Sequence, residues 1–264
     1  MLDQLRERSY EILALSHAEA ILTRDFSDAL AELERCLRPL TIPVTEIIAS
    51  GGGQALGTQR LGRSLKERGW KKHSFEIKKT IDGRTRESTS HVVDHVRRFA
   101  DGRMLALEIE WNNKDPFFDR DLENFKRLHA EGVISVGIII TRGTSMQNNM
   151  RTHIMAFAEA ANVESYENLK RFGVTPTDKQ RTSVSRAMNN PENPQSFREA
   201  WVNNFVSNKF GASQTHWGKL SERVQRGVGH PCPLLLIGIP DTIVTPYVPP
   251  AIEPDADDAI EGGA

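Results

Sequence analysis

Arg103-Met-Leu-Ala-Leu-Glu-Ile-Glu-Trp-Asn-Asn-Lys-Asp115 is the stretch on which the reading of this chain turns. Leu105, Leu107, Ile109 and Trp111 alternate with Ala106, Glu108, Glu110 and Asn112, the period of two that marks a half-buried strand. One face is an ordinary core face, and on it Trp111 reads as core rather than as a platform for a base. The other carries two carboxylates two residues apart, then two amides and a lysine. Upstream, Asp94 sits in a second alternating run, His91 to Phe99. An aspartate on one strand and Glu-x-Glu on the next suit a hard divalent cation such as Mg²⁺, which takes oxygen ligands and is held by a few carboxylates with phosphate and water.

Whether the acids meet depends on register. A two-residue Asp101-Gly102 turn pairs Ala100 with Arg103 and sets Asp94 on the face of Ile109. A three-residue Ala100-Asp101-Gly102 loop, with Gly102 left-handed, pairs Phe99 with Arg103 and sets Asp94 opposite Glu108. Only the second register makes a metal site, and it is the expected one.

Working outward, residues 1–40 read as one or two amphipathic helices, the second capped by Ser27 or Asp28. Ser50-Gly-Gly-Gly-Gln54 is a close-approach loop without the Gly-Lys-Ser/Thr of a phosphate-binding P-loop. A basic helix over 58–70, a strand over 74–80 and an Asp82-Gly83 turn follow. Phe118 to Ala130 is a helix closed by Gly132, and Val133 to Thr141 is a buried strand. Gly143 to Asn149 reads as a polar loop, 150–161 as a helix, and 173–196 as loop-rich. Two helices come next, near 196–209 and 213–226, and then a last strand over 233–240. This pattern predicts an α/β fold with a mixed central sheet flanked by helices. It is one domain over 1–244, with N-terminal helices (1–40), a catalytic core (about 55–161) and a helical and loop insertion (173–226). A Pro-rich, acidic, disordered tail occupies 245–264.

With 264 residues, 38% hydrophobic and 26% charged, the chain can build a core. The net charge of −1 hides an asymmetry, because the last twelve residues hold five acids and no base. From Arg60 to Arg86 there are ten Lys/Arg against three acids, which suits a phosphate backbone as well as a solvated face. Cys36 and Cys232 have no nearby partner, so neither a disulfide scaffold nor structural zinc is expected. No apolar run reaches a bilayer-spanning length, and a soluble cytoplasmic protein with no membrane association is expected.

Several pieces stand in a telling order: Gly57-Thr-Gln59 leading to Trp70-Lys71, Val93-Asp94-His95, and Leu107-Glu-Ile-Glu-Trp-Asn-Asn113. Pro116-Phe-Phe118, Arg127-Leu-His129, Ile138-Ile-Ile-Thr-Arg-Gly143 and Pro233-Leu-Leu-Leu-Ile-Gly238 follow. In this order they resemble restriction endonucleases of the BglII type, within the PD-(D/E)xK nuclease superfamily. The resemblance covers 55–150 well and 230–240 weakly, and implies a restriction-endonuclease-like core with helical additions. By that likeness Asp94 and Glu108 take metal positions, and Glu76 is an additional candidate ligand of the kind seen in BamHI-type relatives. Glu110 stands where most of the superfamily has lysine and the nearest-looking relatives glutamine, and resembles the BamHI-type candidate base. Asn113 stands where an asparagine approaches the water or the target bases.

Lys71, Lys72, Lys78 and Lys79 are candidates for phosphates, and Asn112, Asn113, Asn148 and Asn149 for base edges. The resemblance implies a Mg²⁺-dependent homodimer cutting double-stranded DNA at a short palindrome to leave 5′-phosphate ends. A cognate DNA methyltransferase would be its genetic partner. A structure-selective or defence nuclease and a catalytically inactive DNA-binding protein remain open beside it.

Overall fold

The computed structural model describes residues 1–50 and 54–250, with the side chains of Lys79 and of 85–89 left outside. The expectations for the triple glycine at 51–53, for the Lys79 side chain and for the tail from 251 therefore lie outside the described residues.

The chain runs through α1 (Asp3–Glu7), β1 (Glu11–Leu15), α2 (Ala18–Asp25), α3 (Ser27–Leu37), β2 (Ile42–Pro43), α4 (Val44–Ile48) and α5 (Leu56–Glu67). The core follows with β3 (Trp70–Ile81), β4 (Arg84–Arg98), β5 (Met104–Glu110), α6 (Pro116–Ala130), β6 (Val136–Arg142) and α7 (Thr144–Ala160). Then come α8 (Tyr166–Lys170), α9 (Asp178–Met188), α10 (Phe197–Phe210), α11 (Trp217–Gln225), β7 (Leu234–Ile239) and β8 (Val244–Thr245). The main sheet has the order β1-β7-β6-β5-β4-β3. β5, β6 and β7 are parallel, while β1, β4 and β3 join their neighbours antiparallel, so the sheet is mixed as expected.

Helices cover both faces. Leu105, Leu107, Ile138, Ile140, Leu235 and Ile237 face the larger core, shared with the N-terminal helices and α7. Ala106, Ile139 and Leu236 face the smaller core under α6, which contributes Phe118, Leu122, Phe125 and Leu128 at helical spacing. Gly137 lets α6 come close, because a Cβ there would overlap the Phe125 ring. The N-terminal helices are tied to the hairpin by buried Glu32, which accepts from the Trp70 indole (2.9 Å) and from Arg97 (2.9 and 3.1 Å).

Several sequence expectations change. Glu11 to Leu15 is a strand on β7, not helix: a run of four apolar residues after Glu11, between left-handed Ser9 and Ser16, is too short to form a helix. Neither Ser27 nor Asp28 caps α3, whose N-cap is Phe26 without a side-chain bond. Asn148 and Asn149 are helical, since α7 begins at Thr144 directly after β6. The stretch 173–196 contains α9, started by a capping box of Thr177 with Gln180. Ordered structure also extends past Thr245, because β8 pairs with β2 and Tyr247 packs on Phe157 and Phe172.

Candidate active site

The β4–β5 hairpin takes the three-residue loop. Phe99 donates to Arg103 O and Gly102 to Phe99 O (both 3.0 Å), with Gly102 at φ +88°. Arg98 pairs with Met104 and His95 with Leu107, so the ladder brings Asp94 level with Glu108, and the Asp94 N–H donates to Glu108 Oε1 (3.4 Å). On its other side β4 is bulged: Asp94 and His95 both stand opposite Lys72, because the partners shift between Lys71–Val96 and His73–Val93. A bulge re-aims the side chains it carries. Asp94 stays half in solvent, 3.3 Å from the Lys72 ammonium.

Glu108 and Glu110 lie deeper, at 4% and 3% exposure. Asp121, from the inner face of α6, joins them fully buried. Its Oδ1 takes the Arg120 guanidinium at 2.7 Å, which also lies 3.7 Å from Glu110. Asn113 Nδ2 donates to Glu110 Oε2 (2.6 Å). Burial first, then the charges of Asp121, Asp94 and Glu110, push the Glu108 carboxyl up to about 9. Burial and then Asp121 push Glu110 up to about 8, against the Asn113 amide and Arg120. Asp121 is raised by burial in spite of Arg120.

The end of β5 is held from behind. Thr141 Oγ1 donates to Glu110 O (2.7 Å), and fully buried Arg142 donates to Trp111 O and Thr215 O (both 2.7 Å). Thr215 N donates to Asn113 O (2.8 Å). In front opens a cleft of about 990 Å³ between α5 and the start of α6. Asp94, Glu110, Asn112 and Asn113 line it, and its cations are Arg63, Lys66, Lys72 and Arg120. Trp111 is core, as expected, though its edge reaches the cleft.

Asp94, Glu108, Glu110, Asn112, Asn113 and Lys72 thus come together. Glu76 does not join them: it is exposed opposite Ser90, 3.1 Å from Lys78, and strand alternation turns it from the face of buried Phe75. Lys71 and Lys78 are exposed on β3 and do not line the cleft. Asn149 is engaged elsewhere, donating to Asp241 (2.7 Å), and Asn148 lies exposed beside it on α7. The sequence reading missed Asp121 and Arg120, and marked the α5 cations Arg63 and Lys66 only as part of the basic stretch from Arg60 to Arg86. Asp121 had a signal, lying three residues after Phe118 and four before Phe125, on the helix face those residues bury.

Four carboxylates have two cationic side chains against them, and Asp121 Oδ2 is buried with no hydrogen-bond partner. Three of the four are buried, and a divalent cation fits in place of the protons that Glu108 and Glu110 otherwise keep.

A mixed sheet that carries such acids to the floor of a cation-lined cleft has the architecture of the restriction-endonuclease-like enzymes. The chain belongs to the restriction endonuclease BglII/BglIII family, which matches it over residues 10–239. That membership makes it a DNA-hydrolysing nuclease. No curated protein matches the chain. Among the described residues, no helix is long and apolar enough to cross a membrane.

Proposed function

We propose that the protein is a Mg²⁺-dependent type II restriction endonuclease that cuts both strands of DNA at a short palindromic sequence and leaves 5′-phosphates. The observation that carries this reading is the meeting of Asp94 and Glu110, which line a cation-bearing cleft, with buried Glu108 directly beside Asp94. A homodimer matches the two-fold symmetry of a palindrome. A methyltransferase of the same specificity is the expected genetic partner.

Asp94 and Glu108 would hold the cation. When bound, it lowers the pKa of the attacking water and neutralises charge at the scissile phosphate. Glu110 accepts the water proton, and the Asn113 amide, 2.6 Å away, fixes which of its oxygens faces the cleft. Lys72 and Arg120 take phosphate oxygens; Lys72 exchanges its Asp94 partner for the backbone as DNA enters. Arg63 and Lys66, along one face of α5, extend that phosphate track, while Asn112 and Asn113 reach towards base edges.

Incubation with unmethylated plasmid tests the reading. Discrete fragments with Mg²⁺, none with EDTA and none from Asp94→Asn are expected. A Mg²⁺-dependent smear would favour a non-specific nuclease, and retained binding without cleavage would leave a DNA-binding protein.

A further inference from the structure

The inner end of the acid cluster contains a nitrogen. A ring nitrogen of His91 on β4 and carboxylate oxygens of Glu108 on β5 and Asp121 on α6 lie within 4.8 Å of one another. Two atoms of these three residues are orphaned: Asp121 Oδ2 and His91 Nε2 are both closed to solvent and without a hydrogen-bond partner. The Asp121 side chain is fully buried, and its other oxygen is taken by Arg120. The other nitrogen of His91, Nδ1, is taken by Asn124 Nδ2 at 2.9 Å, one helical turn beyond Asp121. Leaving buried polar atoms unpaired is costly, and here the unpaired ones belong to residues that converge from three elements.

We propose that His91 Nε2, Glu108 and Asp121 Oδ2 form an inner divalent-cation site, distinct from the outer position between Asp94 and Glu108 and bridged to it by Glu108. The ion class follows from the donors. Imidazole suits borderline transition ions, whereas Mg²⁺ prefers oxygen and keeps several waters, for which a nearly solvent-free pocket has little room. The inner site therefore takes Mn²⁺, Co²⁺ or Zn²⁺ ahead of Mg²⁺. Closing the triangle onto an ion with bonds of about 2.0–2.2 Å needs side-chain movements of under about 1 Å. Asn124 must also respond. With Nε2 on the ion the proton sits on Nδ1, so the amide turns to offer its oxygen, as an outer partner of a metal-bound histidine does. The outer position rests on the function proposed above. The inner one stands on its own donors.

Pulsed electron paramagnetic resonance of the DNA-free protein loaded with Mn²⁺ tests this. The wild type should show coupling to a directly bound imidazole nitrogen, and a tenfold excess of Mg²⁺ should leave it in place. His91→Ala should abolish that coupling, and Asp94→Asn should keep it. Asn124→Ala, which retains the imidazole, should weaken Mn²⁺ binding about 10–100-fold and still show nitrogen at saturation. No nitrogen coupling in the wild type, or coupling unchanged in His91→Ala, would overturn the proposal. Plasmid left uncut while the nitrogen signal persists would count against the nuclease function and not against this site.

Discussion

At the scale of single residues, Glu110 carries the sharpest question. A positioned general base contributes about 10²–10⁴-fold, so Glu110→Ala should slow single-turnover cleavage by that factor and leave DNA affinity nearly unchanged. Glu110→Gln keeps the shape and the Asn113 contact but not the basicity. It should be as slow as the alanine variant, and a glutamine variant that cuts at the parental rate would remove Glu110 from proton transfer. Lys72 poses a different test. Its ammonium faces the cleft, so Lys72→Ala should weaken binding to all DNA sequences alike and reduce the slope of log K against log salt by about one. A loss confined to one sequence would mean that Lys72 reads bases.

At the scale of elements, the parts legible in the sequence were those whose signal is local. The alternation in 103–115 gave β5, and Gly102 gave the hairpin register that sets Asp94 beside Glu108. The spacing of Phe118, Leu122 and Phe125 gave α6. What escaped depends on tertiary context. β1 is a helix-neutral run that becomes a strand only because β7 offers an edge. The bulge at Asp94–His95 breaks the alternation that would have placed His91. The cleft cations of α5 acquire meaning only once α5 lies against β3 and β4.

Arg142, which tethers the exit of β5, had no sequence signal, since it donates to the backbone carbonyls of Trp111 and Thr215 and to the Gln147 side-chain oxygen, partners that only the fold brings together. Arg142→Ala leaves the two carbonyls unpaired and a cavity behind. A loss of about 3 kcal/mol or more is expected in urea unfolding, together with impaired cleavage. A change within 0.5 kcal/mol, roughly that of an ordinary surface substitution, would show that the tether carries little.

For the whole molecule, the acid cluster sets a pH dependence. In the metal-free protein Glu108 and Glu110 hold their protons up to about 9 and about 8, while the unfolded chain releases them near the ordinary glutamate value of 4.5. Between these limits the folded state binds more protons, so the cluster's contribution to stability falls as pH rises. Metal-free protein should therefore lose stability from this cluster between pH 5.5 and pH 8. Added Mn²⁺ or Mg²⁺ should raise the melting temperature more at pH 8 than at pH 5.5, because bound cation replaces the protons. An equal metal-induced shift at both pH values would mean that the ions bind away from the cluster.

Sequencing fragment ends after digestion of unmethylated phage DNA shows whether this cleft cuts DNA at one fixed sequence. A single short palindrome at every end, 5′-phosphorylated, and no fragments from Glu108→Ala are expected. Ends scattered over unrelated sequences, or the same ends from Glu108→Ala, would contradict site-specific cleavage by this cleft.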